Sequence, residues 1–194
     1  MPSINGITRS LQANNIDEHL IGELIGEGDL VNVIGRMDER LDREAKYRVL
    51  DACACCTKTS KARDKQCKAY GKAMAGKSLE EKIAGLAGDM NFGCVTLNDD
   101  RTLTVSFCWI IDDKRYCSCG STRNISVAGR PSKDKKTVNQ DRIIPLSYCY
   151  CCAGHFRYHL QNALGIKLKT KEIISSPINS RGEKPCEFIL EVVD

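Results

Sequence analysis

Cys149-Tyr-Cys151-Cys152-Ala-Gly154-His155-Phe-Arg-Tyr-His159-Leu-Gln-Asn-Ala-Leu164-Gly165, followed by Ile166 to Ile174 and by Cys186 to Val193, is the stretch that decides the fold. Ser147 to Leu164 reads as a helix. Gly165 stands at its C′ position, where left-handed backbone favours glycine. Ile166 to Ile174 reads as a strand and Ser175 to Pro185 as a loop. Cys186 to Val193 reads as the last strand, with Phe188, Leu190 and Val192 alternating along it.

Upstream of this unit the pattern also reads as strands. Thr102-Leu-Thr-Val-Ser-Phe-Cys-Trp-Ile-Ile111 is rich in β-branched and aromatic residues, turns at Asp112 to Lys114 and returns as Arg115 to Cys119, which predicts a hairpin. Asn124 to Ala128 is a further candidate strand, and the polar residues 129–142 read as a mobile loop.

The first half is helical in pattern. Asp17 can cap a helix carrying Leu20, Ile21, Leu24 and Ile25, and Asp29 can cap the next, with Val33, Ile34, Met37 and Leu41 at three-to-four spacing. That pattern continues through Ala45, Val49 and Leu50 towards Cys53. Ser60 to Ala75 reads as another helix, and Ser78 with Glu81 forms a capping box opening a helix over Leu79, Ile83 and Leu86. Helices first and an antiparallel sheet later predict an α+β fold that ends in a helix-strand-strand unit. A helical region over 1–90 and an α+β ligand-binding region over 91–194 are expected to form one compact domain.

Gly71-Lys-Ala-Met-Ala-Gly76-Lys77-Ser78 fits the phosphate-loop pattern, which works only between a buried strand and a helix. The preceding residues, Ala62 to Tyr70, are charged and helical in pattern, so no nucleotide is expected there. The composition narrows the partners further. A net charge of +4 without a run of like charges gives nucleic acid no strong electrostatic footprint. No apolar run is long enough for a membrane span. Met1 to Gly6 shows no export-signal pattern, so a cytoplasmic location and no membrane partner are expected.

That location governs how the 12 cysteines are read. In a reducing compartment, clustered cysteines serve as metal ligands or working thiols more than as bridges. They group as Cys53, Cys55 and Cys56, as Cys117 and Cys119, as Cys149, Cys151 and Cys152, and as Cys186. Cys67, Cys94 and Cys108 read as packing residues. Cys151, His155 and His159 lie at i, i+4 and i+8, on one helix face, where a thiolate and imidazoles can meet one cation. His155-Phe-Arg-Tyr-His159 has Phe where a zincin helix carries its glutamate, which excludes that protease chemistry.

The block Cys149 to Phe156, Leu164-Gly165, Glu172 and Gly182-Glu-Lys-Pro-Cys186-Glu-Phe188 resembles the carboxy-terminal signature of the 4-vinyl reductase domain. It is similar as well to the L-2-amino-thiazoline-4-carboxylic acid hydrolase family. Over nearly the whole chain the sequence resembles an uncharacterised family of cysteine-rich prokaryotic proteins carrying both Cys-x-Cys-Cys blocks. The resemblance implies a small α+β domain around an apolar ligand pocket, with a zinc ion held by cysteines and a glutamate beside it. Carried over by position, Cys186 matches the last ligand cysteine and Glu172 the ligand glutamate. The intermediate cysteine position holds Ser175, and Cys149, Cys151 or Cys152 is available to replace it.

Three functions follow. The first is a small-molecule-binding or sensing protein with a thiolate zinc site drawn from Cys149, Cys151, Cys152, Cys186, Glu172 and His155. Cys53, Cys55, Cys56, Cys117 and Cys119 would form a second metal or thiol cluster. The second is a hydrolase acting on a small sulfur- or nitrogen-containing heterocycle. The third is a thiol redox or metal-handling protein.

Overall fold

The computed structural model describes residues 3–54, 61–89, 92–117, 119, 122 and 125–193. The amino-terminal half is helical: α1 (Ile4–Ala13), α2 (Glu18–Ile25), α3 (Leu30–Arg40), α4 (Arg43–Asp51), α5 (Lys61–Ala73) and α6 (Leu79–Leu86). Side-chain caps set most of the starts, because the first N–H groups of a helix lack partners inside it. Asp17 accepts from the backbone of His19 and Leu20, Asp29 and Asn32 form a reciprocal box, and so do Ser78 and Glu81.

The helical pattern that runs from Leu30 towards Cys53 is two helices. The chain becomes extended at Leu41, and the Asp42 carboxylate accepts from Ala45 N at 2.7 Å to start α4. Hydrophobic spacing is insensitive to such a break, since Leu41 and Ala45 both face the core on either side of it.

The second half holds β1 (Cys94–Leu97), β2 (Thr102–Phe107), β3 (Trp109–Ile111), β4 (Lys114–Tyr116), a 3-10 turn (Leu146–Cys149), α7 (Tyr150–Leu164), β5 (Lys167–Ser175) and β6 (Cys186–Val193). Four strands form one antiparallel sheet in the order β1-β2-β6-β5, and β3 with β4 makes a separate hairpin. The single strand expected over Thr102–Ile111 is therefore divided at Cys108 between two sheets. Asn124 falls outside the described residues, and residues 125–128 form no strand. The polar stretch 129–142 is tied down: Gly129 N donates to Asn139 O at 2.9 Å, Pro131 bridges Val138, and Val138 is buried. β1 had no clear signature in the sequence, its alternation being only half-buried.

Helix α7 is the centre of the molecule. Phe156 packs against Phe188 of β6 and Phe107 of β2, each with ring centroids 5.4 Å apart. Leu160, Ala163 and Leu164 are fully buried in the same continuous core as Val33, Met37 and Leu50, so helices and sheet share one interior. Gly165 closes the helix at φ 70°, as the sequence reading has it. Two glycines allow its close contacts. A Cβ on Gly154 would lie 2.7 Å from Asp51 Oδ1 and 3.1 Å from Ala54 Cβ, and one on Gly71 would lie 2.6 Å from the Asn162 carbonyl oxygen. Asp51 is further held by Arg157 at 2.7 and 3.2 Å.

Gly71 thus lies inside α5, and the segment to Ser78 leaves a helix and turns into a helix cap. Lys77 is exposed and pairs with Glu81 at 3.2 Å. No helix among the described residues is long and apolar enough to cross a membrane. Gly71→Ala is expected to destabilise by about 1–3 kcal/mol through overpacking against backbone, which lowers Tm by several degrees. Lys77→Ala should change stability by less than about 0.5 kcal/mol. Thermal denaturation of the two variants reads both; a larger loss for Lys77→Ala would contradict the packing role given to Gly71.

Candidate functional site

The cysteines meet where the tail loop is pinned to the small hairpin. Arg115 on β4 donates from its backbone N to Gly182 O and from its side chain to Glu183 O, both at 2.9 Å. Gly182, at φ 81°, sits so close that a Cβ would lie 2.8 Å from Arg115 O. This contact sets Cys117, one residue beyond β4, beside Cys186 at the start of β6. Cys186 faces inward with Phe188 and Leu190, because alternate residues of a strand share a face. Cys149 and Cys152 arrive from the entry to α7.

The thiols of Cys117 and Cys119 interact, as do those of Cys117 and Cys186 and those of Cys186 and Cys152. Cys119 Sγ also lies 3.1 Å from Tyr148 Oη. The Cys149 thiol lies against Ser176. Cys117, Cys149, Cys151 and Cys186 are all at most 5% exposed. Among the described residues no disulfide joins two cysteines.

Burial disfavours the ionised form of a thiol. Hydrogen bonds from Cys119 and Cys186 instead hold the Cys117 thiol well below its usual range, and Arg130 adds to the effect. The Arg130 guanidinium donates to the carbonyl oxygens of both Cys117 and Cys119. The same interactions push Cys119 and Cys186 upward, with burial adding to each. Burial is the main cause that raises Cys149. These contacts therefore favour ionisation of Cys117 over that of Cys119 and Cys186.

The two clusters drawn from sequence are thus divided differently in space. Cys117 and Cys119 meet Cys152, Cys186 and Cys149, which the sequence reading placed in the other group. Cys151 donates from its thiol to Cys53 O at 3.6 Å, which brings the two Cys-x-Cys-Cys blocks together through backbone. Cys55 and Cys56 lie outside the described residues. Glu172 is exposed, opposite Ile189, three residues along β6 from Cys186 and so roughly 10 Å away along the strand. It lines a cleft of 530 Å³ with Asp38, Arg43, Lys46 and Tyr150 instead. Of the three cysteines read as packing, Cys67 is buried and Cys108 half-buried, whereas Cys94 is exposed on the edge strand β1.

Cys151, His155 and His159 share a helix face but turn to different neighbours. His155 meets His159 edge to face with centroids 4.7 Å apart, and His159 Nδ1 faces Cys67 Sγ at 3.6 Å. Among the described residues no three His, Cys, Asp or Glu side chains are placed to hold one metal ion. The thiols are linked as a chain of pairwise contacts. Their chemistry, a group of sulfur donors of which Cys117 is the most easily ionised of the three in hydrogen-bond contact, nonetheless suits a thiophilic cation. Sequence reasoning missed Arg130 and Tyr148, which carry no local motif.

Comparison with protein-family models, curated proteins and solved structures finds no match to this chain.

His159 is fully buried, and burial lowers its pKa from 6.5 to about 4. Its Nε2 has no hydrogen-bond partner among the described residues. A histidine depressed in the folded state contributes full stability above its unfolded pKa, near 6.5. That stability is lost as pH falls from there towards 4, because the unfolded chain takes up the proton first. Urea denaturation between pH 7 and 5 should show stability falling with pH, with a shallower fall in His159→Gln. An equal slope in the two proteins would contradict the burial of a neutral imidazole.

Proposed function

We propose that this chain is a small-molecule-binding or sensing protein with a cysteine-thiolate metal site, most suited to zinc. Cys117, Cys119, Cys152 and Cys186 would hold the metal, and Cys149 and Cys151 would support them. The observation that carries this reading is the contact between thiols from three distant segments: the end of the β3–β4 hairpin, the start of α7 and the start of β6. Four sulfur donors, drawn together from their chain of pairwise contacts, would form the donor set that zinc prefers in closed, structural sites. A bound metal would replace the thiol protons and cross-link the segments, so binding free energy would become folding free energy.

The cleft bounded by Asp38, Arg43, Lys46, Leu146, Ser147, Tyr150, Glu172 and Ile173 is the place proposed for the small molecule. Leu146, Ser147 and Tyr150 belong to the same turn and helix start as the Cys149–Cys152 block. An occupant there would bear on the residues that position the thiols. With Glu172 assigned to the cleft, its part is to bind ligand rather than metal.

A second reading, a thiol redox protein, draws on the contact between the Cys117 and Cys186 thiols. The two readings differ in metal content and in bridging. Protein isolated under reducing conditions without added metal should carry about one zinc per chain, by analogy with closed thiolate sites. Cys117→Ser and Cys186→Ser should each lose the metal and several kcal/mol of stability, about the size of a lost structural site. Cys94→Ser should retain both. Elemental analysis with thermal denaturation is the measurement. Metal-free protein with a Cys117–Cys186 bridge after mild oxidation would replace the metal reading by the redox one.

A further inference from the structure

A cavity of 310 Å³ lies away from the thiol cluster, lined by Arg63, Gln66, Cys67, Tyr70, Gly85, Leu86, Asp89 and Phe92. Cys67, on α5, is only 2% exposed but borders this space. Behind it stands His159 of α7, fully buried, with Nδ1 3.6 Å from the Cys67 sulfur. Arg63, one turn before Cys67 on α5, hydrogen-bonds to the same sulfur, and its guanidinium carbon lies 5.2 Å from the centre of the Phe92 ring. A thiol, an imidazole and a guanidinium thus converge at the edge of a small cavity. A packing role for Cys67 needs neither the imidazole nor the guanidinium.

We propose that Cys67 and His159 form a nucleophile–base pair acting on a small carboxylate-bearing electrophile that Arg63 holds in this cavity. A cysteine nucleophile needs a base within reach of its proton and an electrophile in front of its sulfur, and both positions exist here. Burial raises the Cys67 thiol, and His159 is neutral, so the pair rests uncharged. The proton moves only as the bond forms. Cys67 Sγ attacks the electrophilic carbon, and its proton passes to His159 Nδ1. The sulfur–carbon bond forms while the bond from that carbon to its leaving group breaks, and the leaving group departs with the electron pair. This requires the His159 tautomer with its proton on Nε2, the buried atom without a partner among the described residues. Arg63 beside the sulfur favours an anionic reagent over a neutral one; Asp89 in the same cavity and Asp64 on α5 act against it, and Arg63 is the stronger influence on the sulfur.

The test compares iodoacetate with iodoacetamide on the folded protein at one neutral pH, with labelling of each cysteine followed by peptide mass spectrometry. Exposed Cys94 is the internal reference. The iodoacetate-to-iodoacetamide rate ratio at Cys67 should exceed that at Cys94 by about tenfold, the lower end of electrostatic enrichment in a charged cleft. Arg63→Gln should bring the two ratios within about twofold of each other. His159→Asn should slow both reagents at Cys67 by about tenfold or more, as loss of a general base does, and leave Cys94 unchanged. Equal ratios at Cys67 and Cys94 in the unmodified protein would overturn the proposal, as would a Cys67 rate indifferent to His159→Asn. Should His159→Asn unfold, seen as faster labelling at every cysteine, the Arg63→Gln ratio decides. The proposal does not rest on the metal reading, and the same labelling result is expected before and after chelation.

Discussion

The structure depends on how closely α7 can approach its neighbours. The backbone of its first turns touches the end of α4 across Gly154, and its last turns touch α5 across Gly71, at separations that a single methyl group would violate. On the third side Phe156 is set between Phe107 and Phe188 of the sheet. A helix held on three sides has little freedom to rotate or slide, since protein interiors are packed near crystal density. Part of each reactive group is positioned by that restraint. The Cys149–Cys152 block enters the thiol cluster from the start of α7, and His159 reaches Cys67 from its middle.

The thiol cluster shows how burial and contact oppose each other. Removing a thiol from water favours the protonated form, so a group of buried cysteines would ordinarily be inert. Here one sulfur receives hydrogen bonds from two others and lies near a guanidinium that also binds the carbonyl oxygens of Cys117 and Cys119. One negative charge is thereby stabilised within the group while its neighbours become harder to ionise. Such a set can exchange its remaining protons for a soft cation, or join two sulfurs in a disulfide when an external oxidant takes up two electrons. The Cys67–His159 pair lies roughly 10 Å further along α7, at 1.5 Å per residue. It has different surroundings: an imidazole and a cavity instead of further thiols.

Those two constellations differ in how visible they were beforehand. The tail cysteines announced themselves by density, and their meeting with Cys186 was foreseeable because a helix and two strands in succession make a compact unit. The entry of Cys117 and Cys119 into that group was not. It depends on Arg115 and Gly182 binding across 67 residues of chain, and neither has a motif. Cys67 looked like a packing residue because a single cysteine in a helix usually is one. Only the facing of α5 and α7 supplies its imidazole.

The sequence by itself determined what local rules control. Asp17, Asp29 and Ser78 start their helices because their side chains accept the unpaired N–H groups, and Gly165 ends α7 because it tolerates left-handed backbone. The bounds of β6 and the α+β order follow from the same short-range patterns. The tertiary structure alone decided the break of the helical pattern at Leu41 and the transfer of the chain to a second sheet after Phe107. It also decided the strand order β1-β2-β6-β5, and which cysteine meets which. Hydrophobic periodicity records that a residue is buried but not against what. Partners tens of residues apart are chosen by packing and by hydrogen bonds that exist only once the chain has closed on itself.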